Sequence, residues 1–211
     1  MTTHLGCRSE ASGMRIADAS VWINLIATER AQIILRAIPV PLYITDVALA
    51  ELERGRSRGR QAADELKKLL DIGLTKVVML AAEDEAVFVS LVNGATAETL
   101  DDGEAATLAC AHRLCACALI DERKATQIAA RRFQTLEVLS TVDLLLSLEV
   151  RSACGPDLGG VLFRALTGAR MRVPDEHIEE VVRILGIERA ATCHSLPIRI
   201  RHRGISNFVR P

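Results

Sequence analysis

Five short apolar runs punctuate the first two-thirds of this chain, at 14–17, 40–45, 76–80, 116–120 and 136–139. Each is followed by a stretch with helical spacing of apolar residues. The runs do not alternate apolar with polar, so both faces of the strands they form must be buried. Strands of that kind pair in parallel and need a crossover between them, which a helix supplies. The chain is therefore expected to fold as an α/β protein, a three-layer α/β/α sandwich around a central parallel sheet of four to five strands.

The helices are read from caps and breakers. Ser20 offers a cap for VWINLIATERAQIILRAI, a helix that Pro39 stops. Thr45 or Asp46 caps a helix carrying Glu51. An Arg/Gly/Ser loop at 54–60 precedes a helix at 61–70 that Gly73 ends. Further helices are expected at 83–92, at 104–114 behind a cap at Asp101 or Asp102, at 123–132 and at 142–150. Beyond residue 150 the rhythm stops. Gly155-Pro156 breaks the chain, 158–166 reads as helix, and Pro174 opens a last one whose Ile178, Val181, Val182 and Leu185 form an apolar stripe. The expected organisation is a polar extension at 1–13, the α/β domain at 14–150, a helical extension at 151–190 and a basic, flexible tail at 191–211. The stripe has no obvious covering element in the sequence, which leads us to expect a homodimer.

Composition limits the function. Aromatics make up 3% of the 211 residues, too few for a platform that stacks single-stranded bases. The net charge of −1 gives no global field for steering nucleic acid, so attraction to phosphate must be local. Six cysteines at irregular spacing are not a secreted disulfide framework. No apolar run is long enough to span a bilayer, and the polar start has no apolar signal core. A cytoplasmic protein is the expectation, with no membrane partner.

Acidic residues stand where strands and helices meet: Asp18 in IADASVWINL, Glu51 in ITDVALAELERG, Asp101, Asp102 and Glu104 in LDDGEAATLACA, and Asp121 and Glu122 in ALIDERKA. Carboxylates beside apolar strands are costly to desolvate unless they pair or hold a cation. Converging at the carboxyl ends of parallel strands, where such sheets bind ligands, they would make an oxygen-rich site suited to Mg²⁺ or Mn²⁺. Taken singly, each also reads as a cap or a solvated surface acid.

The four segments ADASVWINL, ITDVALAELERG, LDDGEAATLACAH and LIDERKATQIA, in that order, resemble the PIN-domain superfamily, which includes VapC-like toxin ribonucleases. The DDGEA and IDERKA forms are similar to a poorly characterised prokaryotic subgroup. The resemblance covers about 14–186. It implies a PIN-like fold with C-terminal helices and a metal-dependent endoribonuclease that hydrolyses RNA, the toxin of a pair with a small antitoxin. Carried over by position, Asp18, Glu51, Glu104 and Asp121 would be the catalytic metal ligands. Ser20, Asn24, Asp102 and Glu122 would orient water, phosphate or those ligands. Two departures stand out. Glu104 replaces the family's Asp, and the fourth region has Asp121 and Arg123 where Thr or Ser and then Asp or Asn are common. Either Asp121 or Glu122 could be the fourth ligand. These departures motivate the alternative of a PIN-fold nucleic-acid- or partner-binding protein with little or no nuclease activity.

Basic residues near these acids are candidates for RNA phosphates: Arg54, Arg56, Arg58 and Arg60, with Arg123 and Lys124 nearer the centre. A solvated loop or an antitoxin contact would use the arginine run equally well. Cys110, His112, Cys115 and Cys117 invite a zinc reading, but their spacing across a helix and a strand points them apart, and buried thiols are expected instead. Trp22 reads as a core anchor. A receiver-like signalling domain would also place acids on a parallel sheet, but the paired early acids and late strand-end lysine it needs are missing.

Overall fold

The computed structural model describes residues 13–55, 57–96 and 98–201, except for the side chains of 57–60. The five expected strands form, each shorter than its apolar run: β1 (Arg15–Ala17), β2 (Leu42–Thr45), β3 (Lys76–Val78), β4 (Cys117–Leu119) and β5 (Val138–Leu139). All pair in parallel in the order β3-β2-β1-β4-β5. That order differs from the 2-1-3-4-5 order of receiver domains, which removes the signalling reading. Register explains the burial. Ile16 lies opposite Tyr43 and Ala118, and all three enter one core, while the next row, Ala17, Ile44 and Leu119, enters the other.

The connections sort by face. α1 (Ala19–Ala27), α2 (Ala31–Ala37), α3 (Asp46–Arg54) and α4 (Ser57–Asp71) carry the chain from β1 out to β3 and supply the first core. α5 (Glu85–Val92), α6 (Asp102–Arg113) and α7 (Arg123–Arg132) bring it back across to β5 and supply the second. The direction of travel reverses between β1 and β4. At such a reversal the flanking helices diverge to opposite faces and leave a crevice at the carboxyl edge of the sheet. Asp18 and Asp121 flank this crevice.

Three local expectations differ from the structure. The long helix after β1 is broken at Thr28, whose hydroxyl donates to the Leu25 carbonyl, and at Glu29, which takes the left-handed conformation at φ +59°. A side-chain hydrogen bond to the backbone competes with helix continuation, and Arg164 fastens the break by donating to the Thr28 carbonyl at 2.6 Å. The helix expected at 142–150 likewise divides into α8 (Thr141–Leu145) and α9 (Leu148–Cys154), with Ser147 capping the second. The basic run is not all loop, because α4 begins at Ser57.

Past β5 the chain returns to the first face. α10 (Leu158–Arg164) continues through a wider π-helical turn (Ala165–Ala169) to α11 (Ile178–Leu185) and α12 (Ile187–Thr192). Ile178, Val181 and Leu185 are buried in the first core. The apolar stripe is thus largely covered by the chain's own helices, with Val182 partly buried. Part of the segment expected as a loose tail is packed too, since Cys193 and Leu196 are buried in the same core. The extension expected at 1–13 lies outside the described residues except for Gly13, as does the tail after Arg201. Among the described residues no helix is long and apolar enough to cross a membrane.

Trp22 is fully buried in the first core. Trp22→Ala is expected to destabilise the fold by about 3–5 kcal/mol, the usual cost of removing a buried aromatic and leaving its cavity. Chemical denaturation of the purified variant measures this, and a loss under 1 kcal/mol would show that the core is not centred there.

Candidate active site

Asp18 follows β1 directly and caps α1. Its Oδ2 accepts hydrogen bonds from the Ser20 amide at 3.2 Å and the Ser20 hydroxyl at 2.8 Å. Asp18 is therefore the cap that Ser20 was expected to be, and Ser20 fixes the rotamer of Asp18. The other oxygen, Oδ1, is buried without any hydrogen-bond partner. Burial pushes the carboxyl up to about 6 against the opposing effect of Ser20, and Asp101 adds to the rise.

The second acid arrives on α3, which Thr45 caps by accepting from the Ala48 amide at 3.1 Å. Glu51 is half-buried, whereas Glu53, two residues on, turns to the surface and pairs with Lys67 at 2.8 Å. Helical spacing had required the two to face differently, and the structure puts Glu51 on the inner side. The third group sits at the start of α6, where Asp101 is the cap and accepts from the Glu104 amide at 2.8 Å. These elements meet at Gly103. A Cβ there would lie 2.2 Å from Glu51 Oε2 and 3.3 Å from Asp18 Oδ1. The two carboxylates crowd the space a methyl group would take, which is why the position is glycine.

Crowding shows in the electrostatics. Burial, then Asp101 and Asp18, raise Glu51 to about 7, with Arg54 acting in the opposite sense. Burial, then Asp101, Asp18 and Glu122, raise Glu104 to about 8. Asp101 is common to all three acids; from sequence it was one of the converging acids and a candidate cap, not a ligand. Its spacing to Glu104, the interval of a capping box, was the signal that could have placed it here. An open cleft of about 380 Å³ over this group is lined by Glu51, Arg54, Gly55, Asp101 and Asp102.

Asp121 is arranged otherwise. It is buried, and both oxygens are taken: Oδ1 accepts from the Thr141 amide at 2.7 Å, and Oδ2 from Asn24 Nδ2 at 2.6 Å and from the Thr141 hydroxyl. Asn24 thus orients Asp121, not water. The carboxylate of Asp121 ties α1 and α8 to the end of β4, and the structure does not bring a free oxygen of it to the acid group. Glu122 stands nearer. It caps α7 by accepting from the Ala125 amide at 2.8 Å, and its charge reaches Glu104. Among the described residues no three acid, histidine or cysteine side chains form a closed site for one metal ion.

The basic candidates divide similarly. Arg54 lines the cleft, with its Nε donating to the Ala50 carbonyl at 3.1 Å. Arg56 and the side chains of Arg58 and Arg60 lie outside the described residues. Arg123 is exposed, and Lys124 donates to the Thr96 carbonyl at 2.7 Å. The thiols do not converge. Cys110 is in the second core, Cys117 is in the first, and Cys115 is exposed.

A family model described as a PIN domain matches residues 14–186. The chain belongs to the PIN-domain family. PIN domains are nuclease-type folds that typically use divalent metals, and membership implies binding of nucleic acid. The five-stranded parallel sheet between helical layers is the architecture expected of it. No curated protein matches the sequence.

Two outcomes follow from this PIN domain's acid group. Asp18, Glu51 and Glu104 hold protons more tightly folded, at about 6, 7 and 8, than at their ordinary values of 3.8, 4.5 and 4.5. Folded-state stability is therefore full below pH 4 from this source and falls as pH rises to about 8. Thermal melts in EDTA should show that decline, and Mn²⁺ should oppose it; a flat profile in EDTA would contradict the crowding. Gly103→Ala should leave the helix intact, since Ala suits it better than Gly, but push the Glu51 carboxylate aside. Divalent-ion affinity measured by calorimetry should drop roughly 10–100-fold, as for displaced ligand supports.

Proposed function

We propose that this PIN domain is a metal-dependent endoribonuclease of the reducing cytosol, VapC-like, the toxin of a pair with a small antitoxin. The observation that carries the reading is Asp18 Oδ1, a buried oxygen with no hydrogen-bond partner, set against Glu51 in the space a methyl would fill. A fold seldom leaves a buried carboxylate oxygen unmatched beside a second acid. Hard oxygen donors of this kind fit Mg²⁺ or Mn²⁺. Asp18, Glu51 and Glu104 would hold the ion, and Asp101 and Glu122 would support it from the rim. When bound, such an ion lowers the pKa of a water and offsets charge on the phosphoryl oxygens.

The chain's own residues do the rest. Ser20 holds Asp18 in one rotamer and leaves Oδ1 directed inward. Asp101 fixes the first turn of α6 and with it the Glu104 backbone. Arg54, at the mouth of the cleft, offers a cation for a phosphate of the RNA strand. Asp102, exposed on the same rim, stays with the solvent.

A second reading, a nucleic-acid- or partner-binding protein with little nuclease activity, is favoured by one observation. The carboxylate of Asp121 accepts hydrogen bonds at both oxygens from Asn24 and Thr141, which leaves it less free than Asp18 to hold an ion. Cleavage of a structured RNA with Mn²⁺ or with EDTA, for the wild type and Asp18→Asn, separates the two. The nuclease reading expects metal-dependent cutting that the substitution reduces at least about 100-fold, the scale of losing one charge-stabilising group. Absence of cutting by a folded, Mn²⁺-binding wild type would establish the binding role instead.

A further inference from the structure

Arg172 belongs to none of the four acidic motifs and lies beyond the last strand, in the segment between the π-helical turn and α11. Arg170 ends that turn in the left-handed conformation, φ +61°. The chain then sends Met171 and Val173 into the first core, where they are 1% and 7% exposed. With both neighbours turned inward, Arg172 faces the other way, onto the carboxyl edge of the sheet. Its Nη1 donates to the backbone carbonyl of Asp121 at 3.1 Å.

A guanidinium has five N–H donors in a rigid fork, and that carbonyl occupies one of them. Three other arginines of the extension are matched: Arg151 and Arg183 pair with Glu180, and Arg164 with Asp157. Among the described residues, no carboxylate lies within ion-pair distance of Arg172. Its charge acts on the buried Asp121 carboxylate, but among the described residues its remaining N–H donors have no partner and suit an anionic ligand. Its place suits such a ligand. The carbonyl it grips is one residue before Glu122, whose charge reaches Glu104, and belongs to the segment whose Leu119 carbonyl accepts the Asp18 amide at 3.0 Å. Arg54 flanks the acid group on the β2 side, and Arg172 flanks it on the β4 side.

We propose that Arg172 is a positioning residue that holds a phosphate of the bound RNA strand on the β4 side of the acid group. The C-terminal extension is then part of the nucleic-acid site. The inference rests on the nuclease reading above.

Fluorescence anisotropy of a fluorescein-labelled single-stranded RNA oligonucleotide, in EDTA so that nothing is cut and over a series of KCl concentrations, tests it. Arg172→Gln keeps a donor for the Asp121 carbonyl and removes the charge. Binding should weaken roughly tenfold, as for loss of one charge-assisted hydrogen bond. The slope of log affinity against log salt should become shallower by about 0.7, the value for one phosphate on a single strand. Arg172→Lys should restore the slope and part of the affinity. An Arg172→Gln protein with unchanged slope overturns the proposal, whether or not its melting temperature falls, because a purely structural bond would alter only the latter. If that variant does not fold, the Arg172 Nε–Hε resonance of the wild type, assigned by its loss in Arg172→Lys, must shift on adding the oligonucleotide; a stationary signal overturns the proposal. A wild type that binds and cuts RNA while Arg172→Gln behaves identically removes this inference alone. A wild type with no RNA affinity removes the nuclease reading along with it.

Discussion

Repulsion among carboxylates that share too little space governs the carboxyl edge of this protein. Asp18 and Glu51 press on Gly103 from two different elements, and Glu104 follows it in the same first turn. Their protons are held up to about 6, 7 and 8 because each is buried and each feels Asp101. Folding such a group without a cation has an energetic cost that the remainder of the structure must offset. It does so with two packed cores, one on each face of the sheet, and with caps that use side-chain oxygens to hold each helix start in place. The arrangement is chemically one-sided: among the described residues it has oxygen donors in excess, with Arg54 at the rim acting on Glu51.

The neighbouring acid, Asp121, obeys the opposite rule. It too is buried at a strand end, yet it accepts hydrogen bonds from Asn24 and Thr141 and feels the charge of Arg172. Burial raises its proton affinity, while three hydrogen bonds pull it back. One strand-end aspartate thus keeps an oxygen with no hydrogen-bond partner, and the other accepts bonds at both oxygens. The difference is made by Asn24 in α1, by α8 and by the segment after α10, which lies outside the alternating βα repeat. The C-terminal extension is therefore not an appendage. It closes the first core through Ile178, Val181 and Leu185, and it brings Arg172 to the crevice.

Much of this was legible in residue order. The five apolar runs gave five strands, and alternation with helices gave the parallel sheet. Helical spacing set Glu51 and Glu53 on different faces, with the family resemblance choosing Glu51, and scattered thiols followed from the cysteine positions. What was not legible involves contacts across long separations. Asp121 met Thr141 and Asn24 only once β4 and α1 were neighbours. The apolar stripe of α11 looked unpartnered in sequence because its cover, α10 and the first core, comes from elsewhere in the chain. The break at Thr28 and Glu29 is a local hydrogen bond, but its fastening by Arg164 is tertiary.

The sequence by itself determined the elements and their kind, because periodicity and capping are local and act within a few residues. It also placed Asp18, Glu51 and Glu104 at the ends where ligands bind, because the alternation of strand and helix leaves few other places for them. Only the tertiary structure decided which acids stay unsatisfied. Hydrogen-bond partners, burial and shared charge depend on which strands become neighbours, and the reversal between β1 and β4 is a property of the whole sheet. It also decided that position 103 must lack a side chain and that Arg172 reaches the carbonyl of Asp121, since a close approach between distant segments leaves no periodic trace in the order of residues.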